Sequence, residues 1–384
     1  MGKEKVLLGM SGGVDSSVAA LLLNRRGYEV YGFFMNACPS GKTSWPSSIK
    51  WKEEEKIVKK ICKLVGVEKL FVVDCEEGYE KKVISKMFKD YEKGLTPNPD
   101  ILCNNVGKFP GLLKKAREIG ADWIATGHYA RVRRKKVPPV RLKIIHKSRP
   151  VLRGGGGFEV ELLRGKDKKK DQSYFLVGLG QDVLEKCLFP VGGLTKEEVR
   201  KIARQNKFPN WDKRGSRGIC YLGKIDVKKF LRERIKEKKG NVVSPRGEVI
   251  GTHPGTWFFT IGERVGDRKG FEILDKYRRE IRNTRLFVAG KRRGNVLVVA
   301  PEGDEILKTK KVFVKNMKFV NSEEKGRMKA RIRHLGELHG GVLRKSSAGR
   351  WTFVFDKGVE GVAEGQFIVL YFGERVVGGG EIRL

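Results

Sequence analysis

The chain lacks the features that place a protein in a membrane or staple a small secreted module. No stretch approaches the eighteen or so uncharged apolar residues that cross a bilayer, and no signal segment precedes the first strand-like run, so a cytoplasmic location and no membrane partner are expected. The cysteines, at positions 38, 62, 75, 103, 187 and 220, include no Cys-x-x-Cys pair. A zinc module of the usual spacing and a disulfide framework are therefore not indicated, and cysteine chemistry, if present, is reactive rather than structural. Acidic residues are also few beside basic ones: 45 Asp and Glu against 81 Lys and Arg in 384 residues, a formal charge of +36. Such a chain repels itself unless a polyanion neutralises it. Nucleic acid is the natural partner, although basicity alone does not separate specific RNA binding from a proteome that is basic throughout. Between Arg131 and Lys170 there are fifteen basic residues against three acidic ones, which reads as a phosphate-contacting surface.

A further absence concerns the nucleotide loop. Met10-Ser11-Gly12-Gly13-Val14-Asp15-Ser16-Ser17 sits between the apolar run Val6-Leu7-Leu8 and a helical pattern from Val18 to Leu23. A strand thus enters a Gly-Gly turn and a helix leaves it. The glycines let backbone approach a ligand, while Ser11, Ser16 and Ser17 add hydroxyls where the helix N-terminus presents N–H groups: together, a phosphate cradle. The Lys-Ser/Thr ending of a Walker loop is missing, so the expected chemistry is cleavage of ATP between the α and β phosphates, with AMP passed to an acceptor oxygen. Asp15 is the candidate Mg²⁺ ligand, its plainer role being a helix cap.

Strand-like runs at Tyr28 to Met35, Leu70 to Asp74 and Trp123 to Thr126 alternate with helical patterns at Trp51 to Val65, Tyr79 to Lys93 and Val106 to Ile119. This predicts an α/β doubly wound parallel sheet with nucleotide at the carboxyl ends of its strands. Within it, the prolines of Thr96-Pro97-Asn98-Pro99-Asp100 predict a stiff loop, neither helix nor central strand, that presents Asp100 and Cys103. Cys103 alone is equally a nucleophile or a buried filler; Cys220, which follows the basic Lys213 to Arg217 stretch, gives it a potential partner. His128, as a lone histidine after a strand, is either a substrate contact or an end-of-strand residue with satisfied hydrogen bonds.

Ser11 to Ser16 resembles the signature of the ATP pyrophosphatases. With Thr96 to Asp100, Cys103-Asn104, Gly127-His128-Tyr129-Ala130, Lys170-Asp171-Gln172-Ser173-Tyr174-Phe175-Leu176 and Gly218-Ile219-Cys220 in that order, the chain resembles the tRNA-uridine 2-sulfurtransferases, or tRNA-specific 2-thiouridylases. Phe189-Pro190, Leu194-Thr195-Lys196, Thr260-Ile261-Gly262, Gly365-Gln366 and Gly378-Gly379-Gly380 extend the likeness along nearly the whole chain. The resemblance implies ATP-dependent adenylation of the 2-carbonyl oxygen of a wobble uridine, followed by replacement of AMP with sulfur. It implies that Cys220 accepts a persulfide from a donor protein such as a cysteine desulfurase or relay protein. Cys103 would be the partner thiol, leaving a Cys103–Cys220 disulfide. Asn98, Pro99 and Asp100 would contact the flipped base, with Asp100 a general acid/base. Gly9, Met10, Ser11, Gly12, Gly13, Val14, Asp15, Ser16, Met35 and Gly127 would bind ATP, and His128, Lys170, Asp171, Gln172, Arg331, Ile332 and Gln366 would touch tRNA.

The sequence divides at about 1–205 for the catalytic domain, 206–284 for a small linking domain carrying Cys220, and 285–384 for a C-terminal antiparallel β-barrel, which the resemblance implies contacts tRNA. Asp226 to Lys238 reads as one amphipathic helix, and strand-like runs from Leu286 onward are taken into the barrel. A basic insertion at 134–157, with Pro138-Pro139 and Gly154 to Gly157, would be either an electrostatic grip on tRNA or a solvated flap. Asn105, Arg217 and Glu263 depart from the family's usual Lys, Thr and Gln, which bears on tRNA preference and donor docking more than on the reaction. Two other readings remain: a different adenylating enzyme with the same loop, which has no use for paired cysteines, and an idle RNA-binding protein.

Overall fold

In the computed structural model, which describes residues 2–36, 51–136, 158–213, 219–220, 225–266, 270–281 and 284–384, the first sheet is built on β1 (Lys5–Met10). It is parallel to β2 (Glu29–Asn36) on one side and β4 (Trp123–Thr126) on the other, with β3 (Lys69–Asp74) and β7 (Cys187–Leu188) at the edges, giving the order β3-β2-β1-β4-β7. Side chains on a strand alternate between faces. Val6 and Leu8 therefore pack with α1 (Val14–Arg25), α2 (Trp51–Val65) and α6 (Lys196–Gln205), while Leu7 packs on the opposite face with Phe33, Ile101 and α5 (Phe109–Glu118). Both faces are covered, as a doubly wound sheet requires.

A hairpin of β5 (Ala130–Lys136) and β6 (Phe158–Arg164) leaves this sheet and joins the last strand of the chain through Arg375 opposite Leu163. Its strands carry the start of the basic insertion; residues 137–157 lie outside those described. Part of the positive cluster is internally neutralised, since Arg133 and Lys135 pair with Glu161, and Arg131 and Lys168 pair with Glu374.

The middle sheet contains β8 (Gly240–Val243), β9 (Val249–His253), β10 (Arg264–Val265), β11 (Glu272–Ile273), β12 (Leu286–Arg292) and β13 (Val296–Pro301), in the order β10-β12-β13-β8-β9-β11. The expectation that the runs at Leu286 and Val296 belong to the C-terminal barrel is therefore corrected. β13 pairs in parallel with β8, and Val288, Leu297 and Val299 share a core with Phe258 and Phe271. The single helix expected over Asp226 to Lys238 is also shorter, spanning Val227–Arg232 with Asp226 as its cap.

The C-terminal barrel comprises β14 (Lys308–Phe319), β15 (Gly326–Arg331), β16 (His339–Lys345), β17 (Trp351–Glu360), β18 (Phe367–Phe372) and β19 (Arg375–Arg383), closed by pairing of β14 with both β17 and β19. Closure removes free strand edges. Gly378 to Gly380 lie inside β19, where a Cβ would run into carbonyls of Lys318, Ile368 and Lys315, so these glycines serve barrel packing.

Besides the pairing of β6 with β19, two further contacts that bear on the site fasten the barrel to the first domain. Asp171, fully buried, accepts from Arg331 Nη1 at 2.8 Å, from Arg164 Nε at 3.0 Å and from the backbone N–H groups of Gly165 and Ser173. The turn before β18 grips the proline loop: Thr96 N–H donates to the Glu364 carbonyl, and Gln366 Nε2 to the Pro97 carbonyl at 3.3 Å.

Candidate active site

The phosphate cradle is built as the β1-turn-α1 pattern predicts. Gly12 takes a φ of +69°, which favours glycine, and Gly13 starts α1 with no side chain capping the helix N-terminus. Ser16 and Ser17 donate to the Gly13 carbonyl at 3.0 and 3.1 Å, and Ser16 Oγ accepts from the N–H of Ser11 at 3.2 Å, which fixes the turn. Asn210 reaches in from beyond α6 to bond the Gly12 carbonyl and Ser17 Oγ, each at 3.0 Å. Gly9 and Met10 complete the strand, while Val14 and Met35 are buried behind it. Gly127 sits against the loop for a packing reason: a Cβ there would lie 2.7 Å from the Ser16 nitrogen.

Asp15 Oδ1 accepts from Tyr129 Oη at 2.7 Å and from Lys196 Nζ at 2.6 Å. Among the described residues no group of three or more His, Cys, Asp or Glu converges as a metal site. One carboxylate beside an anion cradle fits a Mg²⁺ ion, which usually keeps water and takes phosphate oxygens as ligands. Lys196 and Asn210 carry no role in the sequence reading, because their approach to the loop depends on tertiary packing.

Asp100 and Cys103 do not lie on an irregular loop. Pro99 occupies the first turn of α4 (Pro99–Cys103), where its missing N–H costs nothing, and Asn98 caps that helix by accepting from Ile101 N–H at 3.1 Å. A π-helical turn, Asn104–Lys108, then leads into α5. Cys103 is consequently buried in the core shared with the middle domain rather than exposed in a polar loop.

The helix brings the expected groups together. Asp100 Oδ1 accepts the backbone N–H of Cys220 at 2.7 Å, and the Cys103 thiol donates to Cys220 Sγ across 3.7 Å. Tyr79, also at a π-helical turn, donates its hydroxyl to the Cys220 carbonyl. Hydrogen bonding from Cys103 lowers the Cys220 pKa, and Lys108 adds to this; the Cys103 thiol is raised by that same bond and by burial. Burial also raises the Asp100 carboxyl. The arrangement is one polarised thiol beside a protonated one, with a carboxyl adjoining both. Asn98 Nδ2 donates to Gln366 Oε1 at 3.4 Å, so Asn98, Pro99, Asp100 and Gln366 occupy one rim.

The residues expected to touch tRNA divide. Lys170 is exposed, and Gln172 is half-buried, tied to Tyr129 through its side-chain oxygen and its backbone N–H. Asp171 and Arg331 are buried in the barrel junction and Ile332 in the barrel core, so their side chains do not present the tRNA contact expected of them: the alternation of β15 that exposes Arg327 and Lys329 ends where Arg331 turns inward to Asp171. His128 is buried too. Its ring stacks on Phe109 and meets Phe189 edge-on, its Nδ1 lies 2.7 Å from Thr126 Oγ1, and burial holds its pKa well below 6.5.

Three family models match consecutive segments: a tRNA methyl transferase HUP domain over residues 4–224, a tRNA methyl transferase PRC-barrel domain over 228–301, and an aminomethyltransferase β-barrel domain over 309–382. Curated proteins matching the chain include the tRNA-specific 2-thiouridylase MnmA of Bacillus subtilis (strain 168), 35% identical and covering 98% of this chain and 94% of that protein. The MnmA of Geobacillus thermodenitrificans (strain NG80-2) is 37% identical over 99% of this chain and 95% of its own. Among solved structures, a 4-thiouridine synthetase in complex with RNA and bound ATP is 15% identical, covering 60% of this chain and 50% of that one with a TM-score of 0.33. With three consecutive family models and full-length relatives in agreement, the chain belongs to the tRNA-specific 2-thiouridylase (MnmA) family.

Proposed function

We propose that the protein is a tRNA-uridine 2-sulfurtransferase that uses ATP and Mg²⁺ to thiolate the wobble uridine of tRNA in the cytoplasm. The observation that carries this reading is the approach of Cys103 to Cys220 beside Asp100. An adenylating enzyme of another kind has no use for that pair.

The cradle from Gly9 to Ser16 holds the phosphates of ATP, and Asp15 would hold the metal on the pyrophosphate. The uracil 2-carbonyl oxygen attacks the α-phosphorus and pyrophosphate leaves, which turns a poor leaving oxygen into AMP. Asn98, Pro99 and Asp100 hold the base, which an anticodon loop surrenders at the cost of partial unstacking. The Cys220 thiolate takes the outer sulfur of a donor persulfide, releasing the donor thiolate. That sulfur then attacks C2 and expels AMP. Cys103, as thiolate, attacks Cys220 Sγ; the sulfur–sulfur bond breaks, its electron pair stays with the sulfur on the base, and a Cys103–Cys220 disulfide remains for an external thiol to reduce.

The test is incubation with ATP, Mg²⁺, a persulfide donor and unmodified tRNA, then nucleoside mass spectrometry. The expected result is 2-thiouridine with the native protein, AMP formation without 2-thiouridine for Cys220→Ser, and neither for Asp15→Ala. ATP cleavage and thiolation that are indifferent to Cys220→Ser would overturn the reading.

A further inference from the structure

The turn between Cys103 and α5 is π-helical, and its last residue is a lysine. In an ordinary α-helix, residues five apart point about 140° away from each other; a turn with i→i+5 bonding brings them toward one face. Cys103 and Lys108 have that spacing. Lys108 hydrogen-bonds the Cys220 side chain and feels the charges of Cys103 and Asp100. The same ammonium adds to burial in opposing protonation of His128.

We propose that Lys108 is the fixed cation of the sulfur site, holding Cys220 Sγ as a thiolate both when it takes sulfur from the donor and when it is regenerated. This inference rests on the sulfur-transfer reading above. Among the described residues, the groups that face Cys220 are Cys103, Lys108 and Asp100, together with the Tyr79 hydroxyl on its carbonyl. Of these described groups, Lys108 is the one that carries positive charge. The Cys103 thiol also donates to Cys220, but that bond is consumed once Cys103 acts as a nucleophile, whereas the ammonium keeps its charge throughout. The environment supports a charged lysine: although burial works against the ammonium, the neighbouring cysteines and Asp100 raise its pKa. The π-helical turn thus has a use, since an α-helical path from Cys103 would turn Lys108 away from the pair.

The test is the pH dependence of iodoacetamide alkylation at Cys220, read by peptide mass spectrometry on full-length Cys103→Ser protein, with and without Lys108→Met. The midpoint is expected to rise by at least one unit on loss of the ammonium, so that alkylation at pH 7 slows about tenfold. Lys108→Arg is expected to restore most of the rate. Lys108→Gln, which retains a donor without the charge, substitutes if the Met variant does not fold, and thermal melts establish folding. An unchanged midpoint in whichever neutral variant folds overturns the inference, whatever thiolation does. A shifted midpoint in a protein that accepts no sulfur from a persulfide donor would leave Lys108 its effect on Cys220 and refute the transfer reaction instead.

Discussion

The carboxyl of Asp100 bonds the backbone N–H of Cys220 at 2.7 Å, so the residue expected to act on the base also positions the residue expected to carry sulfur. The two roles respond differently to substitution. Burial raises the Asp100 pKa above its usual 3.8. A carboxyl raised in this way contributes stability that is present below 3.8 and lost as pH rises through the folded pKa. At neutral pH its charge therefore opposes folding. Asp100→Asn keeps an acceptor and removes the charge, and is expected to melt no lower than wild type at pH 7.5. Asp100→Ala leaves the Cys220 N–H without its acceptor and is expected to lose about 1–3 kcal/mol in urea unfolding. Both should lower thiolation at least roughly a hundredfold, the usual scale for loss of a general acid or base.

Gly127 makes a second case in which packing decides. Because a Cβ would sit 2.7 Å from Ser16 N and 2.9 Å from the Asp15 carbonyl carbon, both backbone atoms, Gly127→Ala must displace the cradle. The expected outcome is a KM for ATP raised about tenfold, near 1.4 kcal/mol, with little loss of tRNA affinity by filter binding. A Gly127→Ala enzyme with native KM would show that the loop tolerates the shift.

What was legible in the sequence was local. The cradle reads from Gly12-Gly13 and the adjoining hydroxyls, and the alternation of strands and helices gives the doubly wound sheet. The proline stretch misled because proline forbids a helix interior but suits its first turn, and Pro99 is placed there by the Asn98 cap. Sheet membership of the runs at Leu286 and Val296 was not legible, since antiparallel strand patterns look alike whichever core they enter. The burial of Asp171 and Arg331 depends on each having the other, and they stand 160 residues apart. Lys108 needed the π-helical turn, which no periodicity announces.

That buried pair gives the third prediction. Burial alone would raise the Asp171 pKa, but Arg164 and the N–H groups of Ser173 and Gly165 prevail and lower it. Its stabilising effect is present above an aspartate's ordinary 3.8 and is lost as pH falls through the lower folded value. Breaking a buried ion pair from one side costs about 3–5 kcal/mol. Asp171→Asn is therefore expected to unfold at clearly lower urea concentration at pH 7, with the gap to wild type narrowing below about pH 4. Since Arg331 faces Asp171 and not solvent, Arg331→Met should likewise lower stability. The salt dependence of tRNA binding, measured where the variant is folded, should stay at the wild-type slope.

His128 gives a loss of the same sign as Asp171 in a higher pH range. Buried between Phe109 and Phe189 with Lys108 nearby, it has a pKa held well below 6.5, so it remains neutral in the folded protein near neutrality. The unfolded chain binds its proton first as pH falls. The stability associated with neutral His128 is present above 6.5 and lost as pH drops toward the folded value. Thermal melts should therefore show wild type losing more stability between pH 7 and pH 5 than His128→Gln, which cannot be protonated. The same neutrality predicts that no limb of the thiolation pH profile in that range belongs to His128: the profile of His128→Gln should keep its shape even if its height falls. A limb that disappears with the substitution would mean that the imidazole gains a proton during the reaction, and that the pocket admits solvent or phosphate when tRNA binds.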